Sequence, residues 1–523
     1  MRTINTYRSF QVKPFLLVMI AFAMLLHSCE QFELDETPGK SSLAVEPYNS
    51  IEELDLAVTG IFGKLNKAAW MTTFYVNGWS GDDMTTHRES NKGDFREYDQ
   101  RDISASNGRT ATNWAGIYAM VKAANTVLIN MEGVTFPADA ARQEELVGQT
   151  YFLRGLMFYH LARIHGRIVL PLDLEINFER PLATQAEVYQ QIESDLLNAE
   201  SMLPVQTNIG ASNPNSGTAR AILARLYLDW AGFPEKDASK YALAASSAKQ
   251  VIDNAGDHGF GLVDDISTLY TVAGRENIES IFTIAYCSSC GLPNRKTGKL
   301  GLPSDPQTQG WQETFAEIRF FEDMPEGARK DATYHTQVPL DENDKATAGD
   351  PVGGFLEWTS FVDQQQPLFK KIVGPFEEGT FGGFESDRND YYMRYAEVLL
   401  IYAEASGESG TAGAAAWKAL NDVRNRAGLP DVGPSDGTIQ DLAFTERKWE
   451  LAGEYLRWND LVRKEQVEAA LGGSARNPRV SINALTNEPI TSETNAIIGS
   501  LAPSNYFVPL PQTEVDRNPN LAN

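Results

Sequence analysis

Arg394-Tyr395-Ala396-Glu397-Val398-Leu399-Leu400-Ile401-Tyr402-Ala403-Glu404-Ala405 is the stretch on which the fold turns. Tyr395, Val398, Leu399 and Tyr402 fall at i, i+3, i+4 and i+7, the repeat of one helix face, so the spacing predicts a helix over 390–406. The same periodicity continues over 412–426 and 445–463, and a Pro-rich tail closes the chain. Arg394, Glu397, Glu446, Arg447 and Arg457 interrupt these apolar patterns. They are expected to form buried or half-buried ion pairs that fix how neighbouring helices stack.

Working outward, a first helical block is read between residues 50 and 254, with helices over 51–66, 112–131, 140–165, 184–202, 218–230 and 238–254. Gly or Pro punctuates most of the joins, and antiparallel pairs are the natural packing for such lengths. In 218–230, Leu223, Tyr227 and Trp230 make a bulky stripe while Ala221 and Ala224 leave room for a close neighbour, as stacked helical hairpins require. Between the blocks, over 255–389, Gly, Pro and Asn are frequent and only short strands or isolated turns are readable. Tyr286, Trp311, Phe315, Phe355 and Phe369 are among its aromatics, a content that argues against disorder and for function.

At the N-terminal end, Arg2, Arg8 and Lys13 precede an apolar run over 15–26 that is too short to cross a bilayer. Leu26, His27 and Ser28 then lead to Cys29, which reads as a secretion signal, residues 1–28, ending at a lipoprotein cleavage site. Cys29 is the expected lipid attachment point, and a lipid there would be the protein's only membrane device. The formal net charge of −25 argues against nucleic acid, whose phosphates need a basic face. Cys287 and Cys290 are the remaining cysteines. In an oxidising envelope compartment they suit a small structural disulfide, with redox chemistry as the alternative; zinc would want two more ligands nearby.

Several strings resemble the SusD/RagB family of outer-membrane lipoproteins of Bacteroidetes. The helix quoted above is similar to the family's signature helix, and Glu446-Arg447, Glu450-Leu451-Ala452 and Arg457-Trp458-Asn459-Asp460-Leu461-Val462-Arg463 to the next one. Val508-Pro509-Leu510-Pro511 with Asn518-Pro519-Asn520-Leu521 resembles its closing motif, and Trp114, Tyr118, Asn125 and the stretch 151–163 fit near the other end. His27, Gly453, Glu454 and Asn459 depart from the pattern. The resemblance implies a mainly α fold, a tetratricopeptide-like helix-pair superhelix with a loop-rich insert containing short strands. It divides 29–523 into a linker (29–49), a first helical block (50–254), an irregular ligand-face insert (255–389) and a second helical block with the tail (390–523). Glu30, Glu33, Asp35 and Glu36 resemble the acidic signature that routes such lipoproteins to the cell surface.

No paired-histidine zinc-protease helix, phosphate-binding Gly-Lys-Ser/Thr loop or Gly-x-Ser-x-Gly elbow is present, so no catalytic residue, metal site or cofactor is read. The resemblance implies capture instead: a lipid-anchored protein on the outer face of the outer membrane that binds glycans and hands them to a SusC-like TonB-dependent transporter. A peptide-binding member of the family, or a surface glycoside hydrolase with an unrecognised carboxylate pair, are the alternatives. Sugar rings stack on exposed aromatics while Asn, Asp and Arg bond their hydroxyls. Two loop regions can supply such a platform: Trp79 with Asn77, Asp82 and Asp83, flanked by Gly78 and Gly81, and Trp311 after Gly310, with Tyr286, Asn294 and Arg295.

Overall fold

The computed structural model describes residues 47–69, 72–87, 90–206, 212–383, 385–473 and 497–522, and Cys29, the signal segment and the acidic residues behind it lie outside them. Helices α1 (Ile51–Ala69), α2 (Gly108–Asn130), α3 (Ala140–His165), α4 (Gln185–Met202), α5 (Ser216–Ala231) and α6 (Lys240–Asp253) follow one another, each packing on the next from α1 through α6. Local chemistry sets their ends. Thr184 Oγ1 accepts the Glu187 N–H while the Glu187 carboxylate accepts that of Thr184, a reciprocal cap worth about 1 kcal/mol. Asn215 does the same for α5. On α3, a Cβ on Gly148 would lie 2.9 Å from Met202 Cβ and one on Gly155 3.0 Å from Asp195 Cβ. Glycine there lets α4 come close enough for Arg154 to grip Asp195 through two bonds, of 2.9 and 2.6 Å.

In the second half come α7 (Tyr395–Glu408), α8 (Ala414–Arg426), α9 (Ile439–Glu450) and α10 (Arg457–Arg463). Every residue of α7 from Tyr395 to Ser406 is buried, so it is a central helix, packed by α6, α8 and α9 alike, and not the one-faced helix that its i, i+3, i+4, i+7 stripe suggested. The structure corrects two boundaries. Residues expected at the start of α7 form strand β8 (Asp390–Arg394), which pairs antiparallel with β2 (Ser280–Ile284); the partner strand, remote in sequence, overrides the helical pattern. The helix expected over 445–463 breaks after Glu450, where Gly453 (φ +76°) and Tyr455 (φ +62°) turn the chain. Gly453 has no room for a Cβ, which would fall 2.7 Å from Phe369 Cδ1, and its N–H donates to Asp83 Oδ2 at 2.9 Å.

The insert carries three further two-stranded antiparallel sheets: β1 (Met84–Thr85) with β3 (Phe315–Ala316), β4 (Tyr334–His335) with β7 (Leu368–Phe369), and β5 (Gln337–Leu340) with β6 (Gly354–Glu357). Leu302, Phe315, Val338, Phe361, Leu368 and Phe381 give it a small core of its own. The architecture is thus mostly helical, with successive helix-on-helix packing and a loop region holding a few short strands.

Buried ion pairs tie insert to helices, as the interrupted apolar patterns suggested. Arg394, fully buried, meets Glu279 at 2.5 Å, Glu450 at 3.0 Å and Glu454 at 2.7 Å. Arg426 joins Glu279 and Glu450, Arg329 joins Glu446 and Glu450, and Lys371 joins Glu454. A second cluster links α5, α7, α9 and α10: Arg225 with Glu397, Arg447 with Glu397 and Asp460, Arg463 with Glu404 and Asp460. Burial pushes Glu454 up, but Arg394 and Lys371 outweigh it and hold the carboxyl at about 2.

Candidate functional site

Among the described residues Trp311 is the most exposed tryptophan, with half of its surface open. Its backbone explains why. Gln309 (φ +50°) and Gln312 (φ +61°) adopt left-handed conformations, and a Cβ on Gly310 would collide with Leu302 O at 2.0 Å, so the turn presses its neck against the insert. The Trp311 N–H donates to Lys299 O at 2.6 Å. The ring projects from a loop whose backbone is fixed, which lowers the ordering needed to bind a ligand on it.

Trp79 does not share that surface. The 3-10 helical segment Thr72–Ser80 buries Phe74, Val76 and Trp79, and Trp79 is wholly inaccessible, packed 4.6 Å from the Phe95 ring and 5.5 Å from that of Tyr455. Its flanking glycines serve close packing, not exposure: a Cβ on Gly78 would fall 2.7 Å from Tyr455 Cδ1. Trp79 instead holds the chain just after Trp311 from inside. Its indole N–H donates to Glu313 O at 3.2 Å, and the buried Glu313 carboxylate accepts from Thr72 Oγ1 and, at 3.3 Å, from Lys92 Nζ, which lies 6.0 Å from the Trp311 ring centre.

The other residues singled out from sequence are mostly structural. Asn77 is buried and donates to Arg163 O at 3.5 Å. Asp82 is held by Arg457 at 2.7 Å; burial alone would raise its carboxyl, but the guanidinium keeps it below the usual range. Asp83 is buried beside it without a cation of its own, and burial lifts it to about 6 against the opposing Gly453 N–H. Asn294 bonds Arg388 O at 2.8 Å and Asp390 Oδ1 at 2.9 Å. Tyr286 is buried too, not part of a surface shelf: its hydroxyl lies 2.9 Å from Ala69 O and 3.0 Å from Asp390 Oδ2 and accepts from Lys296 at 2.7 Å. Burial drives that phenol well above its usual range, with Asp390 adding to it.

Arg295 stays half-exposed, 3.4 Å from Glu385. Cys287 and Cys290 are joined in a disulfide, and the Cys287 backbone closes a tight hairpin with Leu292 through bonds of 2.8 and 3.0 Å. Of the residues singled out from sequence, Trp311 and Arg295 are the ones that keep their side chains open to water in the insert. Sequence reading did not single out Lys92, Lys299 or Glu313; Lys92 and Glu313 lie 221 residues apart, so no local pattern marks their pairing.

Two cavities adjoin these elements or lie apart from them. One of about 70 Å³ lies under the 294–297 turn, lined by Tyr75, Lys296, Arg388, Asp390 and Tyr455, with the Tyr75 and Tyr455 hydroxyls lacking a protein partner; it has room for a few waters. A larger one, about 320 Å³, is formed by α2, the 169–180 loop and the tail, with Trp114, Tyr118 and Phe178 in its wall, and none of the ligand-binding candidates lines it. Trp114 is almost fully buried and offers no open ring face.

Comparison with known proteins gives consistent matches. A family model described as SusD family matches residues 356–523, and one described as starch-binding associating with outer membrane matches 34–228. SusD-like protein P2 of Formosa agariphila is 26% identical over 536 residues, covering 98% of this chain and 99% of the relative. Among solved structures, a surface glycan-binding protein A from Bacteroides uniformis superposes with a TM-score of 0.71 at 21% identity, covering 90% of this chain and 98% of its own. A laminarin-binding SusD-like protein does so with a TM-score of 0.69, also at 21% identity and with the same coverage.

Proposed function

This chain belongs to the SusD/RagB family of Bacteroidetes outer-membrane proteins, and on that premise we propose that it captures glycans at the cell surface and delivers them to a SusC-like TonB-dependent transporter. Members of the family are non-catalytic binding proteins, so this chain is not an enzyme and the glycoside hydrolase alternative falls away. The observation that carries the glycan reading is the exposed Trp311 ring on a braced loop. A flat indole in water loses little order when a sugar settles on it, and the C–H face of a pyranose covers its apolar surface. The laminarin-binding neighbour supports the same class of ligand.

A peptide ligand would want a deep closed cavity between receptor and transporter, whereas an exposed indole on a braced loop suits the face of a sugar. Anchoring through a lipid on Cys29, the tetratricopeptide-like superhelix and the division into two helical blocks around a ligand-face insert complete the proposal. Among the described residues no helix is long and apolar enough to cross a membrane, which suits attachment by a lipid. The test is electrophoresis of the purified protein through gels containing polysaccharides. At least one should retard the wild type, and Trp311→Ala should weaken that retardation by about 1–3 kcal/mol in binding free energy. Retardation by none, or no loss in the variant, would overturn the reading.

A further inference from the structure

The charge around Trp311 runs against that of the whole protein. The chain carries 70 acidic and 45 basic residues, yet from Gly291 to Gln312 its basic residues are Arg295, Lys296 and Lys299 and its one acidic residue is Asp305. Asp305 is buried, and its carboxylate accepts the N–H groups of Val362 at 2.7 Å and Asp363 at 3.2 Å, so it presents no charge to a ligand. Lys296 is also turned inward, onto Asp390.

That leaves two cations of the loop on the solvent side. Lys299, whose carbonyl holds the Trp311 N–H, makes no ion pair among the described residues. Arg295, four positions earlier, pairs with Glu385 at 3.4 Å, and both side chains remain open to water. Gly383 lies against this loop, its carbonyl accepting the Lys299 N–H at 3.2 Å. On the other side Lys92 stands 6.0 Å from the indole, its charge answered from below by Glu313. A loop that carries two solvent-side cations and an exposed indole, on an otherwise acidic molecule, favours a ligand that is both flat and negative.

We infer that the glycan bound at Trp311 is anionic, carrying uronate carboxylates or sulfate esters that meet Lys299 and Arg295 while a sugar ring stacks on the indole. The inference rests on the glycan reading above. A carboxylate or sulfate takes charge-assisted bonds from an ammonium or guanidinium, and Arg295 exchanges its exposed partner Glu385 for the ligand. The acidic remainder of the surface repels every polyanion, so attraction is confined to this loop and the stacked sugar face must add to it.

The experiment measures affinity of the full-length mature chain for polygalacturonate, a sulfated galactan, neutral laminarin and polyglutamate, at about 50 and 500 mM salt, with the Debye length falling from about 14 to about 4 Å. At low salt one of the charged polysaccharides should bind at least tenfold more tightly than laminarin, high salt should erase the difference, and polyglutamate should not bind. Lys299→Gln with Arg295→Gln should abolish the preference while the thermal midpoint stays put, and Trp311→Ala should lower affinity for the charged polymer at least fivefold. Laminarin bound as tightly as the charged polymers, with no effect of salt or of the double variant, overturns this inference and leaves the glycan reading standing. Binding of no polysaccharide at all overturns both, and polyglutamate bound as tightly as the uronate polymer overturns the requirement for a sugar.

Discussion

Around Arg394 every charge is buried and answered; around Trp311 an apolar ring is left in water. Arg394 has no exposed surface and three carboxylates against it, whereas Trp311 keeps half of its surface open. Both arrangements run against the usual sorting of polar from apolar groups, and each is held in place by rigid surroundings. The difference shows where the molecule spends stability on geometry: one region uses buried charge to lock helices and insert together, and the other holds a half-exposed ring that something outside the protein can cover.

The contrast can be broken most severely at the locked end. Arg394→Met leaves Glu279, Glu450 and Glu454 short of a cation in the interior, and urea denaturation should show a loss of about 3–5 kcal/mol. Trp79→Ala should cost a similar amount, about 3–5 kcal/mol, because a fully buried indole leaves a cavity. Trp311→Ala should change stability by less than about 0.5 kcal/mol and act on binding instead. A pair of tryptophan variants with equal melting temperatures would erase the distinction between inner brace and platform.

A smaller effect should appear with pH. Asp83 holds its proton up to about 6 in the folded chain but only to 3.8 when unfolded, so rising pH removes stability through that window, on the order of 2–3 kcal/mol once complete. Asp83→Asn has no such proton to lose and should gain on the wild type between pH 4 and about 6, read as a difference in denaturation midpoints. Glu454 runs the other way: its stability is present above 4.5 and lost as pH falls towards about 2. A modest change is expected from Cys287→Ser with Cys290→Ser. The ring they close spans only three positions, so global stability should move by less than about 1 kcal/mol, and any effect should show as faster hydrogen exchange of the 287–292 hairpin.

Legibility in the sequence followed the range of the interactions. α3 begins and ends where its periodicity does, at Ala140 and His165, because a helix is specified by neighbours three and four apart. Strand β8 was hidden because its partner β2 begins at Ser280, more than a hundred positions earlier. Gly453 and Glu454, which stood out as departures from the family pattern, make the turn that places Glu454 against Arg394 and Lys371. At the candidate site the glycines beside Trp79 suggested exposure, and the same lack of a side chain instead admits Tyr455. Trp311 was legible because Gly310 and its two positive-φ neighbours belong to one short loop.

Glu313 receives Lys92 and, through its carbonyl, Trp79, which lie 221 and 234 positions away in the chain. Cutting the polypeptide anywhere between them would yield two fragments, each with part of the brace and neither with all of it. Mixed together, such halves should recover their grip on a ligand only as they reassociate, which turns ligand retention into an assay for docking between the N-terminal helices and the insert.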